Sequence, residues 1–199
     1  MVSVGWTTER GERRKLTHPP WVGGSVPGWR VAIPIYDPDG IARRLKSEAR
    51  AFRWERISDQ CDRWVGGQIA EWAEEAVKLV RALATGSWAT AAVQRNLLAD
   101  HLGFVMAIHQ RMFWDSENEF WERIGHRIGG EWARAQSRAL GVSRTTTLEQ
   151  SCRGALLLYT LTAEKVWKKL SGPQRAIASN VGRVAGLPLA PGRAPPSRP

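Results

Sequence analysis

The sequence has few of the features that mark secreted or membrane proteins. Its 199 residues include two cysteines, Cys61 and Cys152, and both fall at apolar positions of predicted helices. We interpret them as small core residues in a reducing compartment, not as a disulfide framework or a metal site. No run approaches eighteen apolar residues, and the N-terminus lacks the apolar segment of a signal peptide. These absences predict a cytoplasmic protein with no membrane partner.

The charge is strongly positive, with 29 Lys and Arg against 19 Asp and Glu, a formal net charge of +10 and a pI near 10.6. The excess lies at the two ends and in residues 41–56. Such a charge attracts phosphate, whether from nucleotides, nucleic acid or an acidic membrane. An arginine-rich composition with no bearing on function explains the same numbers.

The first forty residues are predicted to be the end of an α/β domain. Gly and Pro are frequent in residues 1–30, which indicates loop with one strand near Val2–Thr7. The apolar run Val31–Tyr36 predicts a strand that ends at the turn Asp37-Pro38-Asp39-Gly40. Because a strand needs a partner, its neighbours must lie in residues 1–30 or in another polypeptide. We therefore interpret residues 1–40 as the C-terminal remnant of a larger domain.

Apolar residues three or four apart predict helices through most of the remaining chain. The predicted helices are Ile41–Arg53, Ile57–Ala84, Trp88–Phe113, Ser116–Ile128, Trp132–Leu140, Thr147–Leu170 and Gln174–Val184. Capping-box spacing marks two of the starts, at Ser116 and Thr147, and a kink is expected at Gly66 and Gly67. The fold class is therefore mainly α, with an up-and-down antiparallel bundle in residues 41–185 and a disordered Pro- and Arg-rich tail in residues 186–199.

Several short motifs, taken together, resemble those of a known family. They are the strand and Asp-Pro-Asp-Gly turn, Glu74-Glu75-Ala76-Val77-Lys78, Gly86, Ile108-His109-Gln110-Arg111 and the helix start at Ser116. Residues 31–170 are similar in this respect to the C-terminal, substrate-binding helical domain of kanamycin-type nucleotidyltransferases. The resemblance implies transfer of a nucleoside monophosphate from Mg-ATP to a hydroxyl of a small acceptor such as an aminoglycoside. Mg²⁺ and ATP are the cofactors that it implies.

The same resemblance assigns roles to particular residues. Glu74 corresponds to the general base that takes the proton of the acceptor hydroxyl, and Lys78 to a contact with the nucleotide phosphates. The i,i+4 spacing places both side chains on one helix face, but it is also the commonest surface ion pair. Glu75 or Glu71 is an alternative counterpart of the base, and Glu75 is assigned to substrate binding.

The tryptophans supply the remaining candidates for substrate contact. The chain has 11 of them, and indole rings stack on sugars and bases. Trp64 and Trp72 lie on an apolar helix stripe, which favours a place in the core. Trp88, Trp114 and Trp121 lie near helix ends, where a bundle opens, and we expect them to line the acceptor cleft.

One part of the nucleotidyltransferase pattern is missing from the sequence. The family holds two Mg²⁺ ions with a Gly-Ser turn followed by an Asp-x-Asp pair on a strand. The sequence contains no such arrangement, and Met1–Tyr36 contains no Asp. We therefore expect that the chain does not transfer nucleotides alone. It is either a truncated enzyme or a helical subunit that works in a homodimer or with a separate catalytic subunit.

Two other functions remain open. Arg95 and His101, with Asn96 after the arginine, fit the Arg-polar-x₄-His pattern of the HEPN ribonucleases, which are helical bundles that cleave RNA between two subunits. Under that alternative the basic surface would bind RNA. A non-catalytic interaction bundle is the third possibility. A nucleotide-binding assay distinguishes it from both enzymes.

Overall fold

The computed structural model describes residues 7–189, apart from the side chain of Glu117, and these residues are mainly helical. The α-helices of this range are α1 (Glu9–Lys15), α2 (Val22–Val31), α3 (Ile41–Ala51), α4 (Ser58–Glu71), α5 (Ala73–Ala84), α6 (Trp88–His109), α7 (Glu117–Ile128), α8 (Gly130–Ala139), α9 (Leu148–Lys165) and α10 (Gly172–Val184). None of these helices is long and apolar enough to cross a membrane. The tail predicted to be disordered lies mostly outside the described residues, as does most of Val2–Thr7.

The helix starts follow local capping chemistry. The predicted capping box at Thr147 and Gln150 is present, with each side chain bonded to the other residue's backbone N–H. A second box, Ser171 with Gln174, starts α10. At α7 the Ser116 hydroxyl accepts from the backbone N–H of Asn118. These side chains satisfy N–H groups that have no partner inside the helix.

The predicted remnant strand is wrong for the described residues. Val31 is the last residue of α2, and residues 32–36 have no strand pairing anywhere in the range 7–189. The turn that follows is confirmed, because Gly40 has a φ of 67° and the Asp37 carboxylate accepts from the backbone N–H groups of Ala42 and Arg43. Alternating apolar residues favour an extended chain, but a strand also requires a neighbouring strand.

The predicted helix over residues 57–84 is two helices that meet at Trp72, not at Gly66 and Gly67. Gly66 instead allows a close approach. A Cβ there would lie 2.9 Å from the Gln174 side chain and 3.3 Å from the backbone oxygen of Lys169. The sequence predicts a kink at the two glycines because glycine has a low helix propensity. In the structure Gly66 instead lets the start of α10 pack closely against α4.

The parts of the chain before and after residue 40 share one hydrophobic core. The buried side chains of Leu16, Val22 and Val26 belong to the same cluster as those of the later helices. Helix α9 lies at the centre and packs against α5, α6, α8 and α10. Among the largest fully buried side chains are Trp132 and Tyr159, which are held by hydrogen bonds from the indole N–H to Thr162 Oγ1 and from the phenol O–H to the Ile69 carbonyl.

We expect the substitution Tyr159→Phe to lower the free energy of unfolding by about 1–2 kcal/mol. The Tyr159 hydroxyl donates to the Ile69 backbone oxygen at 2.7 Å in a buried position, so its removal leaves a buried acceptor without this donor. Urea unfolding of the full chain measures the loss. Tyr36→Phe is the control, because Tyr36 is 86% exposed and its hydroxyl should contribute nothing to folding. Equal stabilities of the two variants would contradict the prediction.

Candidate functional site

Glu74, Glu75 and Lys78 form an ion cluster at the start of α5. Both glutamates lie in the first turn of the helix, where the helix dipole favours carboxylates. Lys78 Nζ lies 2.9 Å from Glu74 Oε1 and 3.0 Å from Glu75 Oε1. The Glu74 side chain is 73% exposed and that of Glu75 is 21% exposed. One ammonium group therefore holds two carboxylates, of which Glu74 is the one open to a ligand.

Glu74 and Lys78 shift in pKa because they are paired. The hydrogen bond and the charge of Lys78 lower the pKa of Glu74, and the two glutamates raise the pKa of Lys78. Glu74 is therefore ionised at neutral pH and can accept a proton. Lys78 is protonated over the same range and can contact an anion only by sharing its charge with both carboxylates.

A shallow groove of about 530 Å³ lies beside the ion cluster, between α10 and the adjoining parts of α4 and α5. Most of its lining is apolar, and Glu74 and Asn180 are the polar side chains at its edge. The lining residues are Ala70, Ala73, Glu74, Val77, Ala176, Ile177, Asn180 and Val181. Because Glu74 stands at this edge, a molecule in the groove would bring its polar groups close to the carboxylate.

Trp88 does not line the same groove as Glu74. It is 47% exposed and lies at a second groove of about 360 Å³, with the ion pair Glu149–Arg153 at its edge. This groove lies between the ends of α5 and α10 and the starts of α6 and α9. The structure therefore separates the predicted base from one of the tryptophans that was expected to share its cleft.

Trp114 and Trp121 belong to an aromatic cluster between α6 and α7. Trp114 is 8% exposed and packs edge-on against Phe120, with ring centroids 5.1 Å apart. Trp121 packs against Phe104 and Phe120 at 5.5 and 4.7 Å. These contacts are typical of a packed core. Neither indole lies among the residues that line the two grooves described above.

The candidate nuclease pair is not brought together. His101 stacks on Trp72 with ring centroids 4.2 Å apart, and its Nε2 is paired with Gln68 Oε1 on α4. Arg95, on the same helix, donates from Nη1 to the Ala139 carbonyl at the end of α8, at 3.4 Å. The two side chains thus contact different helices. The ribonuclease alternative stays a prediction that no contact of the described residues favours.

His101 makes stability depend on pH. Burial lowers its pKa to about 4, below the ordinary value of 6.5, so the folded state disfavours the protonated ring. The contribution of neutral His101 is therefore complete above about pH 6.5 and is lost as the pH falls toward 4. We expect the free energy of unfolding to drop by about 2 kcal/mol between about pH 7.5 and pH 5 from this residue. Burial lowers the pKa of His109 as well, which adds a loss in the same direction.

Urea unfolding at several pH values measures this dependence. The variant His101→Gln should have a flatter profile over this pH range than the wild type. The variant His126→Gln is the control, because it makes the same replacement at an exposed histidine. A wild-type slope retained in His101→Gln would contradict the assignment.

Sequence reasoning missed a second charged cluster, around Asp62. Arg111 donates from Nη2 to Asp62 Oδ1 at 2.7 Å and to the Ser58 carbonyl at 3.0 Å, and Lys169 Nζ lies 2.6 Å from Asp62 Oδ2. Arg111 has a φ of 53°, which is rare for a residue with a side chain. Both cations lower the pKa of Asp62. Nothing in the sequence pattern signals this backbone conformation, although Arg111 lies in one of the motifs quoted above.

The described residues do not fit the implied magnesium site. In the range 7–189 no three His, Cys, Asp or Glu side chains are grouped so that they could hold a metal ion. Asp37 uses both carboxylate oxygens to cap α3. Mg²⁺ and ATP therefore remain expectations from the resemblance, and the metal ligands would have to come from outside these residues.

No family model, curated protein or solved structure matches this chain. The resemblance to nucleotidyltransferases therefore depends on short motifs, among which Glu74 to Lys78 contains the residues to which the resemblance assigns catalysis and nucleotide contact. Function has to be inferred from these residues and from the geometry around them.

Proposed function

We propose that this chain is the helical, acceptor-binding part of a nucleotidyltransferase, with Glu74 as the base that takes a proton from the acceptor hydroxyl. The observation that carries the proposal is the position of Glu74. It is exposed, ionised and held by Lys78 at the edge of the apolar groove between α5 and α10. In this assignment the helices run up and down as an antiparallel bundle, and α5 presents the base.

The geometry suits proton transfer from a bound hydroxyl. A general base must be ionised and must reach the hydroxyl proton directly or through one water. Glu74 is ionised at neutral pH as an exposed carboxylate, and its exposure leaves one side of the carboxylate open to an acceptor. The apolar side chains of the groove would hold the carbon skeleton of that acceptor. Glu75 keeps Lys78 in place when Glu74 turns toward the acceptor, because both carboxylates share the ammonium group.

The acceptor implied by the resemblance is a small polyol or amino sugar such as an aminoglycoside. The ammonium groups of an aminoglycoside would be attracted by the two carboxylates at the groove edge. Lys78 is the residue that the resemblance assigns to a nucleotide phosphate. The metal-binding carboxylates would come from a catalytic polypeptide that associates with this chain.

A reconstituted transfer assay tests the proposal. The full chain is mixed with a kanamycin-type catalytic core that lacks its helical domain, and transfer of labelled AMP from Mg-ATP to kanamycin is measured. We expect transfer only in the mixture, with a loss of about 100-fold or more in the variant Glu74→Gln, since a general base contributes about 10²–10⁴-fold.

The matched control is Glu131→Gln, because Glu131 is also an exposed glutamate in the first turn of a helix. It should retain full transfer. The proposal is overturned if Glu74→Gln and Glu131→Gln have the same activity, or if the purified chain transfers AMP without the core.

A further inference from the structure

The segment of residues 31–36, between α2 and α3, exposes an unusual amount of apolar surface. Val31, Ile33, Ile35 and Tyr36 are 75%, 85%, 101% and 86% exposed. Four large, exposed apolar side chains within six residues amount to roughly several hundred Å², the size at which an exposed patch marks an interaction site. We call residues 31–36 the docking segment.

The docking segment is held at both ends. The backbone N–H of Ala32 donates to the Gly28 carbonyl, and the Ala32 carbonyl accepts from Lys46 Nζ at 2.7 Å. At the other end Asp37 caps α3. The apolar side chains are therefore presented from a fixed base, which lowers the conformational entropy that a partner must remove on binding.

The two backbone edges of the segment differ. In an extended chain the N–H and C=O groups of alternate residues point to opposite edges. One edge carries Ala32, Pro34 and Tyr36, and it is poorly suited to pairing, because Pro34 has no N–H and the Ala32 carbonyl is taken by Lys46. The other edge carries Ile33 and Ile35, whose backbone groups have no hydrogen-bond partner within residues 7–189. The chain bends at Ile35, so pairing would straighten this residue.

The net charge of the chain on either side of the docking segment favours one kind of partner. Between residues 9 and 53 the sequence has ten Lys and Arg against five Asp and Glu. A second copy would bring the same positive charge to the contact and would be repelled. A stable interface buries roughly 800 Å² of each partner. The six residues of the docking segment supply less than this, so the contact must extend over the basic residues that flank it. An acidic partner satisfies both conditions.

We propose that the docking segment binds a partner protein by adding a strand, through the Ile33 and Ile35 edge, to an open β-sheet edge flanked by acidic side chains. Strand addition supplies backbone pairing together with pockets for alternate side chains. It gives the apolar residues 31–36 the neighbouring strand that is absent from the described residues. The inference rests on the proposed function only for the identity of the partner. Under the proposed function, that partner is the catalytic polypeptide.

Model strand peptides test this inference without nucleotide or acceptor, so its failure is distinct from failure of the proposed function. The probes are the peptide (Glu-Val)₆ and its charge control (Lys-Val)₆, each titrated into the full chain. We expect (Glu-Val)₆ to bind at least 10-fold more tightly than (Lys-Val)₆. Hydrogen exchange of the Ile33 and Ile35 amides should slow at least 10-fold on binding, whereas the Tyr36 amide should not change.

Two variants of Ile35 form a matched pair. Ile35→Pro removes both the side chain and the N–H from the pairing edge and should weaken (Glu-Val)₆ binding at least 10-fold. Ile35→Ala loses the side chain but keeps the N–H, and it should bind at least 10-fold more tightly than Ile35→Pro. Circular dichroism checks that both variants fold. The inference is overturned if the amides stay unprotected, if both variants bind alike, if (Lys-Val)₆ binds equally, or if the chain self-associates through Ile35.

Discussion

The substitution Gly23→Ala is expected to lower the free energy of unfolding by about 3 kcal/mol, at the upper end of the usual cost of overpacking. A Cβ at this position would lie 1.9 Å from Cζ3 of Trp114 and 2.2 Å from Cη2. Trp114 cannot move away freely, because its ring packs edge-on against Phe120 and its backbone N–H donates to the Gly23 carbonyl. Urea unfolding and thermal melts of the full chain measure the loss.

The same helix offers a matched control. Gly28 also lies in α2, but a Cβ there meets no atom within 4 Å. Gly28→Ala should therefore leave stability unchanged or raise it by up to about 1 kcal/mol, since Ala has the higher helix propensity. If Gly23→Ala and Gly28→Ala have the same stability, then Trp114 does not pack against α2 as the structure places it.

The glycines that this close packing requires are also the reason that the sequence predicts loop in this region. Gly and Pro within residues 1–30 favour turns, yet residues 22–31 form helix α2. Gly23 and Gly24 are required because the Trp114 ring lies directly against the helix backbone. Tertiary packing here outweighs helix propensity. No single-sequence pattern shows which aromatic ring will lie against a glycine pair distant in the chain.

Local features of the candidate site were more predictable than its assembly. The Glu74–Lys78 pair follows directly from the i,i+4 spacing, and the structure has it at 2.9 Å. Helix-end position did not distinguish Trp88, at an open groove, from Trp114, which is buried. That distinction depends on which helices pack together. Helix packing is determined by contacts between residues far apart in sequence, and the hydrophobic periodicity of a single helix does not reveal those contacts.

The substitution Arg111→Ala is expected to lower the free energy of unfolding by about 3 kcal/mol. Arg111 joins the end of α6 to the start of α4 through hydrogen bonds to the Ile108 and Ser58 carbonyls and to Asp62. The Arg111 and Asp62 side chains are 21% and 20% exposed, so their pairing is largely shielded from water. Removing one partner of a fully buried pair costs about 3–5 kcal/mol. The expected loss lies at the lower end of this range because Lys169 still pairs with Asp62 and both side chains keep some exposure.

The control for Arg111→Ala is Arg153→Ala, because the ion pair of Arg153 with Glu149 is exposed on both sides, at 68% and 50%. An exposed pair of this kind contributes about 0.5 kcal/mol. Urea unfolding of both variants should therefore show a clear difference. A loss in Arg111→Ala as small as in Arg153→Ala would show that the Asp62 cluster does not join α4 to α6.

The variant Arg111→Gly separates the contacts of Arg111 from its backbone strain. Arg111 has a φ of 53°, a conformation that costs a residue with a Cβ about 1–2 kcal/mol and costs glycine little. Both Arg111→Ala and Arg111→Gly lose the hydrogen bonds, but only glycine relieves the strain, so Arg111→Gly should be about 1 kcal/mol more stable than Arg111→Ala. The strained conformation is held by backbone hydrogen bonds, from the Arg111 N–H to the Ile108 carbonyl and from the Met112 N–H to the Ala107 carbonyl, so the strain remains when the side chain is removed. Equal stabilities of the two variants would mean that the backbone at residue 111 is not strained.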